Sequence, residues 1–187
     1  MADQGARTGA GALPVVPGRH IVLVGLPGSG KSTVGQLVAE RLGRTFVDFD
    51  PIIERRHGDT IASIFAQFGE AHFRNLEREL TVELAERPES QVLAPGGGWI
   101  TSPDCVALLR PHGVLVYLRA TPATALRRLG AAVATRPLVA GADPLAAMKQ
   151  LLAEREPRYA TADHAADTEG LDAGQVADLV VQLAGAR

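Results

Sequence analysis

Apolar positions along this chain fall into short unbroken blocks and helical stripes, and the two kinds alternate. Residues 22–24, VLV, form a continuous apolar run closed by Gly25, as a short strand buried on both faces should. Val34, Leu37, Val38 and Leu42 then recur at helical spacing until Gly43 stops them. The stretch TFVDFD at 45–50 predicts a second strand ending in acids. Thr60 can cap a helix in which Ile61, Ile64, Phe65 and Phe68 share a face. A longer helix after Gly69 carries Phe73, Leu76, Leu80 and Leu84 on its apolar side. QVLA at 91–94 is a third strand, leading into PGGGW, and VLVYL at 114–118 is a fourth. Thr121-Pro122 opens the next helix with a cap and a first-turn proline. Residues 131–142, AAVATRPLVAGA, hold no firm period and read as a mobile loop. Asp143-Pro144 starts a helix expected to end near Pro157, and a weak strand at 164–167 and a helix over 172–184 close the chain. No internal repeat is present. Strands alternating with helices predict an α/β fold, a parallel sheet covered on both sides, in a single domain over 19–187.

Composition narrows the functional classes. A net charge of −2 argues against a nucleic-acid partner, which would ask for a basic surplus on one face. A lone cysteine, Cys105, excludes an internal disulfide and a cysteine metal cluster. No apolar run reaches the roughly 18 residues of a membrane span. The first 18 residues, rich in Gly, Ala and Pro, read as a flexible leader without a signal-peptide core. These features point to a cytoplasmic protein.

The chemistry starts at Gly25, where GLPGSGKS matches G-x-x-x-x-G-K-[ST] in full, after a strand and before a helix. Glycines let the backbone curl so that consecutive N–H groups face phosphate oxygens, and the helix adds its positive dipole end. Gly28, Ser29, Gly30, Lys31, Ser32 and Thr33 are therefore the candidate nucleotide-binding residues. Lys31 is one of two lysines beside seventeen arginines. A compact ammonium on a flexible stem can follow a phosphoryl group in flight, which a planar guanidinium does poorly. Ser32, and less directly Thr33, offers a hydroxyl to Mg²⁺.

Several P-loop classes share this loop. The N-K-x-D base reader of GTPases is absent, because Asn75, the only asparagine, precedes Leu76. The fourth strand ends in Arg119, not in the metal-holding acid of motor and transport ATPases. The second strand supplies acids instead. On a continuing strand Asp48 and Asp50 would point the same way, one toward a metal shell and the other toward an acceptor hydroxyl. Arg74, Arg136 and Arg155 each sit beside a feature that could place them: an apolar helix face, the loop at 131–142, and a helix end before Pro157. Paired arginines suit a small carboxylate. Gly96, Gly97 and Gly98 allow close approach of backbone N–H groups to a ligand.

The ordered set GLPGSGKST, DFD, FGEAHFRNLE, GGG, RPL and EREPRY resembles the shikimate kinase family from about residue 20 to 183. The resemblance implies a three-layer P-loop kinase fold with a five-stranded parallel sheet, helices on both faces, a substrate region and a lid at about 131–143. It implies ATP-dependent phosphorylation of the 3-hydroxyl of shikimate with Mg²⁺, by a monomer. Carried over by position, Asp50 resembles the residue that holds the acceptor hydroxyls, and Arg74 and Arg155 the pair on its carboxylate. Gly97 resembles the backbone contact, Asp48 the acid of the Mg²⁺ water shell, Arg136 the lid arginine, and Arg128 the arginine against adenine. Phe65, Phe73 and Glu77 match the pocket walls and their support, with plain helix core the other reading of the two rings. Three positions depart from the family pattern: Phe49 between the acids, Trp99 after the glycines, and Arg158 before Tyr159. They leave open a changed acceptor such as a shikimate-like cyclitol acid. Two rivals stand beside this reading: a gluconate-type sugar-acid kinase, against which the FR, GGG and EREPRY set speaks, and an ATP-sensing module without transfer, against which Asp48, Asp50 and Arg136 together speak.

Overall fold

Five parallel strands carry the site: β1 (His20–Val24), β2 (Phe46–Asp48), β3 (Val92–Ala94), β4 (Gly113–Arg119) and β5 (His164–Asp167), in the order β2-β3-β1-β4-β5. The structure is a computed structural model that describes residues 18–185, so the leader read over 1–18 lies, except for Gly18, outside the described residues. β1 is central and buried at every position, with Ile21 opposite Val92 of β3 and Val114 of β4. That burial on both faces explains its unbroken apolar run. One face packs α1 (Lys31–Leu42) and α7 (Ala173–Gly185), burying Val34 and Val38 with Val176 and Val180. The other face packs α3 (Ile61–Ala85), α4 (Pro103–Leu109) and α6 (Pro144–Tyr159), with α5 (Pro122–Leu129) against α6 and α2 (Phe49–His57) against α3. The expected α/β sandwich of five parallel strands is the fold observed.

Four local expectations are corrected. The second strand stops at Asp48, whose extended backbone forms the N-cap of α2. Asp50 lies in the first turn of that helix, so the two acids are not strand neighbours on one face. Phe68 does not join its helix's buried face. Gly69 takes φ 80°, ψ 172° and kinks α3, leaving Phe68 51% exposed. α6 does not end before Pro157 but runs through it to Tyr159. Proline costs a helix one hydrogen bond. Tyr159, fully buried and stacked on Tyr117 at 4.9 Å, holds the last turn in place. The stretch read as a loop after residue 130 begins with a 3₁₀ helix, Gly130–Thr135, whose residues are all at least partly exposed.

Candidate functional site

The loop between β1 and α1 opens on a cavity of about 550 Å³ at the carboxyl edge of the sheet, where ligands bind in parallel α/β folds. Gly30 is the N-cap of α1 with φ 101°, a left-handed conformation that only glycine adopts cheaply. Lys31 Nζ donates to the carbonyls of Gly25 (2.9 Å) and Leu26 (3.0 Å), folded back over its own loop. Burial pushes its ammonium down to about 8, with Asp50 pulling the other way. Ser29 is buried in the cavity wall with a hydroxyl that has no hydrogen-bond partner. An orphaned hydroxyl, a helix N-terminus and a lysine around one cavity fit a polyphosphate.

Ser32 and Asp48 line the same cavity, with the serine hydroxyl near the carboxylate. Burial pushes the Asp48 carboxyl up, although the nearby Ser32 hydroxyl opposes it. Two hard oxygen donors beside the phosphate loop fit Mg²⁺, which takes few protein ligands and completes its shell with water and phosphate oxygens. Among the described residues no group of three or more His, Cys, Asp and Glu could hold a metal ion. At the far end, Arg128 is braced by Ser29 O (3.3 Å), Thr168 Oγ1 (2.9 Å) and Thr168 O (2.9 Å).

Beside this cavity lies a smaller one, about 60 Å³, lined by Phe65, Phe73, Arg74, Arg155, the glycine triplet, Asp50 and Arg136. Arg74 donates to Glu77 (2.5 Å) and Glu70 (2.6 Å). Glu77 is buried and also accepts from Gly96 N at 3.2 Å. Burial pushes its carboxyl up against the pull of Arg74. These bonds account for the glycines. A Cβ at Gly96 would stand 2.5 Å from Glu77 Oε1, and one at Gly98 would overlap the Arg74 guanidinium. Arg155 is buried close to the Tyr159 hydroxyl, which donates to Gly97 O at 2.6 Å. Burial pushes that phenol up to about 12. Phe65 and Phe73 pack at 4.9 Å and serve both readings, since Phe73 belongs to the core and to the cavity wall. Arg136 pairs with Asp50 at 2.6 Å, where the two cavities meet.

The fold thus brings every candidate residue to one of two adjoining cavities. The three departures stay out of them. Phe49 and Trp99 are fully buried in the core, with Trp99 Nε1 bonded to Thr81 Oγ1 at 2.9 Å, and Arg158 is exposed on α6. Sequence reasoning missed Thr168, Asp172 and Val176 on the wall beside Arg128, and Pro137, Leu138 and Val139 over the smaller cavity. The first group follows β5 at the ligand-binding edge, which is a usable signal. The second lies in and beside the RPL motif within the expected lid, which is its signal.

The loop, acids and clustered arginines on this sheet define a small-molecule kinase of the P-loop class. The family model for shikimate kinase matches residues 27–184. The shikimate kinase of Thermodesulfovibrio yellowstonii is 40% identical over 164 residues, covering 88% of this chain and 94% of that one. Shikimate kinase from Acinetobacter baumannii, solved in complex with shikimate, superposes with a TM-score of 0.84 at 38% identity, covering 89% of this chain and 92% of that chain. The chain belongs to the shikimate kinase family. A gluconokinase from Sinorhizobium meliloti 1021 shares the fold, with a TM-score of 0.57 at 19% identity over 90% of this chain and 91% of that chain.

Proposed function

We propose that this chain is an ATP-dependent shikimate kinase, transferring the γ-phosphoryl group to the 3-hydroxyl of shikimate to give shikimate 3-phosphate and ADP for aromatic amino acid synthesis. The observation that carries this reading is the meeting of Arg74, Arg155 and Asp50 around one small cavity beside the phosphate loop. Two buried or half-buried guanidiniums suit a carboxylate, and an acid next to the phosphate site suits a hydroxyl. Phe49, Trp99 and Arg158 do not line that cavity, which weakens the case for a different acceptor.

In this reading the protein does little covalent work and supplies position and charge. Gly28, Ser29, Gly30, Ser32 and Thr33 hold the phosphates through the loop and helix terminus, and Arg128 lies at the adenine end. Lys31 leaves its carbonyl partners for the phosphate oxygens. Ser32 and Asp48 would hold Mg²⁺, which when bound offsets charge on the phosphates. Asp50 orients the 3-hydroxyl and accepts its proton as the bond to phosphorus forms. Gly97 contacts the acceptor through its backbone. Arg136 swings from Asp50 to the transferring group, and residues 131–143 close as a lid that excludes water. All these groups come from one chain, which supports a working monomer. ATP as the donor suits a cytoplasmic enzyme.

The test is ADP release by purified protein with Mg-ATP, with and without shikimate, with gluconate and AMP in parallel. Stimulation by shikimate alone is expected. ATP binding with no shikimate-dependent release would overturn the reading, and stimulation by gluconate would replace it.

A further inference from the structure

Outside the kinase cavities, two imidazoles face each other across the helices that carry the acceptor residues. His57 ends α2 and His72 lies on α3, and their Nε2 atoms are 3.4 Å apart. The rings meet at 74°, with centroids 5.5 Å apart. Phe68 packs against both, edge-on to His57 at 5.3 Å and tilted against His72 at 5.0 Å. Both histidines are half-buried, and His57 Nδ1 is buried without a hydrogen-bond partner.

We infer that this pair is a two-histidine site for a divalent transition-metal ion of the Zn²⁺ type. Zn–N bonds of about 2.0–2.1 Å at the tetrahedral angle place two nitrogens about 3.3–3.4 Å apart. The observed separation of 3.4 Å matches that span. The competing occupant of the gap is a single shared proton. At 3.4 Å the two nitrogens are also within reach of one N–H···N hydrogen bond, at the long end for such a contact, so the metal titration below decides between the two occupants. Imidazole suits Zn²⁺, Cu²⁺ and Ni²⁺, whereas Mg²⁺ asks for oxygen ligands. The Asp59 carboxylate, bonded to Thr60 N, Ser63 and Gln67, is close enough to interact electrostatically with His57. The ion's remaining positions fall to water. Bound there, it would tie the end of α2 to α3 and close residues 58–71 into a loop that holds Ile61 and Phe65 of the smaller cavity wall.

The test uses the untagged full chain, stripped of metal with a chelator, with Zn²⁺ as probe and Mg²⁺ as control. Equilibrium dialysis should find about one Zn²⁺ bound per chain, held more weakly than in sites with three or four protein ligands. Zn²⁺ should raise Tm and Mg²⁺ should not. H57Q and H72Q should each weaken Zn²⁺ binding about tenfold or more, at least the cost of losing a supporting contact. F68A, which keeps both imidazoles, should still bind. Unchanged uptake in both histidine variants, or none in the parent chain, would overturn the site. Should either variant misfold, imidazole NMR of the unmutated protein decides. The His57 and His72 resonances should move together as Zn²⁺ is added, and movement of His20, His112 or His164 alone would sink the proposal.

Discussion

Arg136 Nη1 lies 2.6 Å from Asp50 Oδ2, so the segment after the 3₁₀ helix is latched to the first turn of α2 between the two cavities. The side chains are 40% and 21% exposed. A solvated pair of this kind contributes about 0–1 kcal/mol, so phosphate oxygens compete for Arg136 with ease. The latch therefore holds two groups of the proposed mechanism together without making either hard to release. Arg136→Ala should lower kcat about 10³-fold, at the low end for an arginine meeting the transferring group. Stability should change by less than about 1 kcal/mol. Steady-state kinetics with urea unfolding checks both, and an unchanged kcat would return Arg136 to the role of surface latch.

Asp50 makes the complementary prediction. Asp50→Asn keeps the shape and removes the proton acceptor, so kcat should fall about 10²–10⁴-fold. ATP affinity should stay near that of the parent, because the loop and Lys31 are intact. Isothermal titration with a non-hydrolysable ATP analogue, alongside turnover, separates the two effects. Turnover near the parent value would mean that Asp50 moves no proton.

Arg74 is held by Glu70 and Glu77 and packs against the backbone of Gly98. Removing it takes away a charge-assisted contact to an anionic acceptor, about 1.5–3 kcal/mol, or roughly ten- to a hundredfold in acceptor KM. Arg74→Ala also leaves the Glu77 carboxylate buried and short of a partner, so the fold should weaken too. Arg74→Ala with Glu77→Gln should recover stability without recovering acceptor KM. If the double variant regains KM as well, Arg74 supports the wall and does not touch substrate.

Much of this arrangement was legible in the sequence because it depends on local rules. The loop at 25–32, the apolar runs of β1 and β4, and the caps at Thr60 and Thr121 follow from residue type and spacing alone. What escaped depends on tertiary contact. Asp50 looked like a strand residue because an apolar–acidic alternation ran through Phe49, yet Phe49 turns into the core and starts α2. Pro157 looked like a helix stop because nothing local reveals that Tyr159 stacks on Tyr117 and bonds Gly97. The break at Gly69 was legible, but the helical period that put Phe68 on a face with Ile61 and Ile64 does not show that the chain bends there and leaves its ring half exposed. Arg158, the departure before Tyr159, is turned to solvent.

His20 predicts acid sensitivity. It is 3% exposed at the start of β1, and its Nδ1 accepts from Gln91 N at 3.1 Å. Burial, with His112 nearby, lowers its pKa below the ordinary 6.5. A histidine held neutral in the fold contributes stability above its unfolded pKa. That stability is lost as pH falls through 6.5 toward the folded value. The buried Glu77, whose carboxyl is pushed up, acts with the opposite sign at lower pH, so wild type alone does not isolate the effect. His20→Gln keeps an acceptor for Gln91 and removes the titration. Urea midpoints from pH 7.5 down to 5.5 should fall less steeply in this variant, and parallel curves would show that His20 does not drive the loss.

Lys31 predicts alkaline sensitivity of nucleotide binding. Burial holds its ammonium at about 8, so the charge is complete below that pH and lost above it. Phosphate oxygens at the loop stabilise the charged form and raise the pKa on binding. Binding above pH 8 must therefore take up a proton, and the affinity should fall as pH rises. One unit above the free pKa only about one lysine in ten is charged, so ATP affinity at pH 9 should be about tenfold weaker than at pH 7. Calorimetry at pH 8.5 in two buffers of different ionisation enthalpy should show the proton uptake directly. Lys31→Met should abolish the uptake and flatten the profile. Affinity that stays level from pH 7 to 9 in the unmutated enzyme would mean that Lys31 keeps its charge throughout, and that burial at the loop perturbs it less than its surroundings indicate.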